Sequence, residues 1–329
     1  MAKRRSCPVL IFLSLLLVEI PFAHGQESKK MIKIGVAQTV SRPDLNSDAK
    51  GFEKALSEAG FKEGVHITYL RENSKGSVAN AEAIAQKFRD MKVDLIHSIA
   101  TLASQATASR IKNIPIIFSS VYNPVDTGIV PKRSPAGTKT RTNVTGVSDL
   151  WPVHLQFEMF IKFLPKAKKW GTIYNRGDQK SLVYMKEMRE AAEELGVVLI
   201  ESTVSNRYEI VQAAQSLVGK VQAIHITSDD TIASSLEKVV KLCNEKKIPL
   251  FIGDVYSVSR GAVAAYGLNY YLIGHAAGRK AVQVLKGKRP GSIPWGPEEK
   301  FSLVINEKAA RAQGVIIPPE LLKKADKVI

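Results

Sequence analysis

The fold class predicted for this chain is α/β, with two doubly wound parallel-sheet lobes joined by a hinge, and three observations predict it. Apolar runs of strand length alternate with helix-period segments along nearly the whole sequence. The order of these patterns in the first half returns in the second. Between the two copies stands a short strand-like stretch, Asn143–Pro152 (NVTGVSDLWP), where a connection between lobes would run.

The first copy runs from EAGF at Glu58 through VHITYL, SVANAEAIAQKF and VDLIHSIATLAS to IPIIFSSVYNP, which ends at Pro124. The second runs from ELGV at Glu194 through VVLIESTV, EIVQAAQSL and VQAIHITSDDTIASS to IPLFIGDVYS, which ends at Ser257. His97 and His225 occupy equivalent places, as do Pro115 and Pro249. Both histidines lie inside apolar strand patterns, which assigns them to packing rather than to proton transfer.

Taken in order, Met31–Gln38 is a near-continuous apolar run of the kind a buried parallel strand shows. Ser47–Ala59 has helical spacing and ends at Gly60, a stop signal. Strands at His66–Leu70, Asp94–Ala100 and Ile114–Val121 then alternate with helices at Val78–Met91 and Ala103–Ile111. The stretch 124–142, with its prolines, glycines and basic cluster, reads as a long surface loop. After Pro152, near a helix start, the second lobe follows. It carries strands KWGTIYN, VVLIESTV, AIHITSD, LFIGDV and GAVAAYGL in a sheet expected to be parallel, with helices at Lys180–Leu195, Glu209–Val218 and Thr231–Lys246. Tyr270–Lys286 is an amphipathic helix with no counterpart in the duplication, and a short strand, FSLVIN, and a terminal helical region close the chain.

The 329 residues suffice for two domains, each with its own core, and 45% hydrophobic with 24% charged residues is a soluble globular balance. The start of the chain differs. Lys3-Arg4-Arg5, the apolar run Pro8–Val18 and the small residues around Gly25 predict an export signal, residues 1–25, cleaved after about Gly25. The apolar run falls short of the roughly 20 residues that span a bilayer. Removing the leader leaves a net charge of +14 from +16 and a single cysteine, Cys243, so no disulfide forms within the chain. The basic residues are spread over helices and loops with little aromatic interleaving, which argues for a solvated surface and against nucleic acid.

Ligands of open parallel sheets bind at the carboxyl ends of the strands, beside helix N-termini. Here those ends carry Gln38, Thr101, Ser104, Ser119, Tyr122 and Asn123 in the first lobe. In the second they carry Tyr174, Asn175, Ser181, Asp229, Asp230, Asp254 and Tyr256. Asp229 and Asp230 are placed either to cap the helix that follows or to receive an ammonium group, and Asp254 offers another acid on the same rim. Thr101 and Ser104, with nearby backbone N–H groups, would suit a carboxylate. The tyrosines would give the ligand an apolar or aromatic contact. No catalytic motif follows any strand, nothing has metal-ligand spacing, and no cofactor is called for.

From about Ile32 to the C-terminus the chain resembles the ABC-transporter substrate-binding proteins of the tryptophan and aromatic amino-acid type, within the type I periplasmic binding fold. The motifs that carry this are NVTGVSD at Asn143, LPKAKKWGTIYN at Leu164, AAQSLVGKVQAIHITSDDTIAS at Ala213, SVSRGAVAAYGLNYYLIGHAAG at Ser257, and the ending LVINEKAARAQGVIIPPELLKKADKVI. The resemblance implies a ligand cleft and a three-crossing hinge, near Val144–Ser148, Gly267–Asn269 and Phe301. The first lobe would comprise residues 26–145 plus 269–300, and the second 146–268 plus 301–329. Two departures fall on the cleft: Tyr122-Asn123-Pro124-Val125 where the family often has Thr-Asp-Pro-Val, and Asp229-Asp230-Thr231 where it tends to have Asp-Asn-Thr.

The expected function is that of a periplasmic, monomeric solute receptor that binds a small molecule, an amino acid with an aromatic or branched apolar side chain. It would deliver that molecule to an ABC permease with a separate ATPase subunit. A ligand-sensing periplasmic domain, and a secreted α/β enzyme using the Asp229 and Asp254 rim, are the alternatives. Asn143–Pro152 is assigned to closure of the lobes rather than to ligand contact.

Overall fold

The computed structural model describes residues 31–329 apart from Ser228 and Glu299; the expected export leader lies outside the described residues. The first half runs β1 (Ile32–Gln38), α1 (Pro43–Glu58), β2 (Ile67–Asn73), α2 (Val78–Asp90), β3 (Leu95–Ile99), α3 (Thr101–Arg110), β4 (Ile116–Val121) and β5 (Val144–Ser148). Next come α4 (Val153–Ile161), β6 (Lys169–Asn175), α5 (Gln179–Glu194), β7 (Val198–Val204), α6 (Ile210–Leu217), β8 (Ala223–Ile226), α7 (Asp230–Ala233), α8 (Leu236–Lys246), β9 (Leu250–Ile252) and β10 (Ala264–Leu268). The rest is α9 (Tyr270–Leu285), β11 (Gly296–Pro297), β12 (Phe301–Ile305), α10 (Glu307–Ala312), α11 (Pro319–Lys324) and β13 (Lys327–Val328).

Two sheets form. The first has the order β2-β1-β3-β4-β5-β11 and the second β7-β6-β8-β9-β10-β12-β13. Their shared portion repeats the same order, so the duplication seen in the sequence is a duplication of topology. The chain passes between the sheets after β5, after β10 and after β11. The second sheet, expected to be parallel, is not wholly so, because β12 runs antiparallel to β10. The cause is the short link from β11. A strand that enters directly from the carboxyl-end side of the first sheet starts at the carboxyl-end side of the second and must run the opposite way. The helix expected over Thr231–Lys246 is two helices, α7 and α8, broken at Ser234 and Ser235. Helix α1 begins at Pro43, a turn earlier than expected, because Pro is well placed in a first turn.

Helix α9 returns to the first sheet, lying along α1 and against β4 and β5. Glycine makes this close crossing possible: a Cβ on Gly274 would collide with the Asp48 carbonyl, and one on Gly51 with that of Tyr271. The crossing seats the Asp48 side chain over the end of β4. In the second lobe, Phe157, Phe160, Trp170 and Phe251 are buried around His225, whose ring lies 4.8 Å from that of Phe160. Neither His225 nitrogen has a hydrogen-bond partner among the described residues, and burial lowers its pKa to about 3, so it packs as a neutral ring.

Candidate functional site

A cavity of about 690 Å³ opens at the carboxyl ends of both sheets. Its wall is made of residues that follow β1, β3, β4 and β5 on one side and β6, β8 and β9 on the other, with Tyr270 at the start of α9. This is where helix N-termini and strand-end loops converge, and the volume suits a small organic ligand.

Of the residues expected from the sequence, Thr101, Tyr122, Asp229, Asp230, Asp254 and Tyr256 line the cavity. The others are committed elsewhere. Gln38 donates to the Val40 carbonyl and to Asn46 Oδ1, both at 2.8 Å, and so braces the loop after β1. Ser104 turns back to the Ser98 carbonyl, 3.2 Å away in the core. Ser119 donates to Asp48 Oδ1 at 2.9 Å and lies 2.8 Å from His97 Nε2. Asn123 closes its own turn with Asp126. Tyr174 points out of the cleft to Glu201 at 2.9 Å, beside Arg189. Asn175 donates to Thr231 Oγ1 at 2.9 Å, and Ser181 to Asp178 and Asp229, both at 2.8 Å.

The three acids of the second lobe differ sharply. Asp229 is saturated: Oδ1 accepts the N–H groups of Thr231 and Ile232, and Oδ2 accepts the Asn175 N–H and the Ser181 hydroxyl. It caps α7 and ties that helix to β6. Asp229→Ala is therefore expected to cost about 2 kcal/mol of stability, read from urea unfolding. Asp254 accepts the Tyr256 N–H and the Ser257 hydroxyl, and burial raises its pKa. Asp230 is 78% exposed and already lies 4.0 Å from both Arg42 and Lys180.

Sequence reasoning missed the acid that stands apart. Asp149, just past β5, lines the cavity, yet its Oδ1 is cut off from water and accepts no hydrogen bond from any described residue. Its Oδ2 accepts the Tyr270 hydroxyl at 3.1 Å. Burial pushes its pKa up to about 7, although Tyr270 and the Lys180 charge pull the other way. The stretch assigned to closure thus also supplies cavity wall: Asp149 and, two residues on, Trp151.

Trp151, Tyr184 and Tyr270 were likewise not anticipated. Together with Tyr122 and Tyr256 they make an aromatic wall, in which Tyr122 and Tyr184 meet edge to face at 5.4 Å and Trp151 lies 6.4 Å from Tyr184. They lie a residue or more beyond the strand ends, on crossings and in the early turns of helices, which a reading confined to strand ends leaves out. In the same cavity, α3 starts at Thr101 without a side-chain cap among the described residues. Ala100 holds a left-handed φ of 69°, and among the first N–H groups that of Ala103 is taken by Thr39 Oγ1. An open helix N-terminus of this kind favours an anion.

The model of the family "ABC transporter substrate binding protein" matches residues 33–329. The chain belongs to the ABC transporter substrate-binding proteins. This substrate-binding protein is 36% identical, over 87% of its length and 82% of the relative's, to a tyrosine-binding protein of Clostridioides difficile. It is 33% identical to a substrate-binding protein with adhesive properties from Clostridium difficile in its ligand-free, open structure. That match has a TM-score of 0.82 and covers 91% of this chain and 99% of the other. A domain from Streptococcus pneumonia in complex with L-Trp is 32% identical, with a TM-score of 0.74 and coverage of 91% and 100%. The two-lobed arrangement is that of type I periplasmic binding proteins.

Proposed function

We propose that this protein is an exported receptor for an aromatic L-amino acid, which it encloses between its lobes and delivers to an ABC permease with a separate ATPase. The observation that carries this reading is one cavity lined by the unpartnered Asp149 carboxylate oxygen, the uncapped start of α3 and five aromatic side chains. Asp149 takes the ammonium group, the N–H groups at Thr101 take the carboxylate, and the rings take the side chain. Asp230 and Asp254, expected from the sequence as ammonium anchors, serve instead as a partner of Arg42 and Lys180 and as a turn cap. The relatives named for tyrosine and crystallised with L-Trp support the ligand class.

The higher similarity to an open, ligand-free relative than to an L-Trp complex supports a resting state with the lobes apart. Closure then follows from ligand contacts that both lobes make at once, which shift the population toward the closed form. The three passages between the sheets are the hinge, and the basic leader with its apolar run supports export to the periplasm.

Thermal denaturation with L-Tyr, L-Trp, L-Leu and arabinose tests the proposal. Ligand at 100 times its dissociation constant stabilises by about 2.7 kcal/mol, so an aromatic amino acid should raise Tm by roughly 5–10 °C. Mass spectrometry of the ligand recovered after incubation should return it unchanged. No shift with either aromatic amino acid would remove the assignment of ligand class, and a chemically altered ligand would revive the enzyme alternative.

A further inference from the structure

A second recess, of about 510 Å³, is lined by Arg133, Ser134, Thr138, Lys139, Arg141 and Pro294. It belongs to the long loop before β5 and the segment before β11, at one edge of the first sheet. Arg141 precedes the amino end of β5, whereas Asp149 follows the carboxyl end of that strand. The recess is therefore a separate place from the cleft, and what the cleft holds does not bear on it.

Its charges are unlike those elsewhere in the molecule. Among the described residues, Arg133, Arg141 and Arg289 make no ion pair, side-chain hydrogen bond or ring contact, and all three are exposed. The other described arginines have partners: Arg71 holds Glu53 and Glu63, Arg189 holds Glu201, Arg260 holds Glu237, and the rest are bonded in similar ways. The unpartnered arginines are also neighbours. Arg289 precedes the turn at Pro290, and the Gly291 carbonyl of that turn accepts the Arg141 N–H at 3.0 Å. Gly137 donates to the Trp295 carbonyl, which ties the loop carrying Arg133 to the same segment. Lys139 adds a cation, and Lys280 reaches the rim by donating to the Pro294 carbonyl at 2.6 Å. Among the described residues, no Asp or Glu lines the recess.

Arg133 and Arg141 share the recess wall, with Arg289 on the adjoining turn, and like charges placed so near one another are relieved by an anion that several of them can share. A concave wall with guanidinium forks, an ammonium and the Ser134 hydroxyl matches the oxygens of a phosphate group. We propose that this recess binds the phosphate of anionic phospholipid headgroups, and so holds the protein at the membrane surface with its cleft left free. The occupant follows from charge complementarity on a chain of net charge +14 once its leader is removed.

The test is sedimentation of the mature protein with vesicles of phosphatidylcholine alone or with 30% phosphatidylglycerol (roughly the anionic share of a bacterial-type surface). Each basic residue near such a surface is worth about fivefold in partitioning. The triple substitution Arg133→Ser, Arg141→Ser and Arg289→Ser should therefore lower binding to the anionic vesicles by more than about thirtyfold. A control with the same loss of charge, Lys323→Ser, Lys324→Ser and Lys327→Ser on the exposed C-terminal segment, should lower it by less than about threefold. Both variants should keep the parent's Tm and its response to amino acids. Equal losses in the two variants would mean that diffuse charge, not the recess, does the binding, and would overturn the proposal. Absence of parent binding to anionic vesicles would overturn it too. Titration with inorganic phosphate separates the sources: saturation by free phosphate without vesicle binding would replace the lipid by a soluble anion.

Discussion

If the proposed site holds tyrosine or tryptophan, Asp149→Asn is expected to lower that affinity by at least about 30-fold, because removing one member of a buried, hydrogen-bonded charge pair costs about 2–5 kcal/mol. Asparagine keeps the volume and an acceptor for the Tyr270 hydroxyl, so the cavity wall keeps its shape while the charge that meets the ammonium group is gone. The empty protein responds in the opposite sense. In the folded chain the Asp149 pKa is raised to about 7. The stability associated with its proton is thus fully present below the ordinary carboxylate range, falls as pH rises, and is lost once pH passes about 7. At pH 8 the parent carries a buried charge that costs up to about 4 kcal/mol, and the variant does not. Calorimetric titration and thermal melts read both effects. A variant that binds like the parent would remove Asp149 from the site.

Affinity for the amino acid is expected to rise with pH by up to about tenfold per unit between pH 5 and 7 and to level off above, since the proposed contact with the ammonium group uses the Asp149 carboxylate in its charged form. The groups that face it set this window. Tyr270 from α9 donates to it, Lys180 from α5 favours its charge, and Asp48 from α1 opposes it. Tyr184 from α5 and Tyr122 after β4, whose pKa values are themselves raised by burial, stay neutral over the same range. Isothermal titration at pH 5, 6, 7 and 8 gives the slope, and Asp149→Asn should flatten it. A slope that persists in the variant would transfer the titration to Asp254, whose pKa burial also raises.

How far the site was legible in the sequence depends on what each residue is bonded to. Asp229 and Asp230 look alike at a strand end, but in the fold one is saturated by N–H and hydroxyl donors and the other lies exposed near two cations. Tyr122 and Tyr256 reach the cavity, whereas Tyr174, on an equally favourable strand end, faces Glu201. Strand alternation tells which residues end a strand, not which way the last side chain turns once a neighbouring helix offers it a partner. Asp149 and Trp151 were set aside because they follow a crossing. The residues that follow this crossing nevertheless line the cavity, so a stretch that joins the sheets also supplies wall.

The sequence by itself determined the two-lobed α/β fold and its internal duplication, because hydrophobic period and the order of elements are local properties that survive without coordinates, and its motifs carried the resemblance to the family. The tertiary structure alone decided which carboxylate keeps a buried oxygen that no described residue bonds. Desolvation and hydrogen-bond saturation depend on groups far apart in the chain: Tyr270 reaches Asp149 from α9, and Asn175 and Ser181 reach Asp229 from β6 and α5.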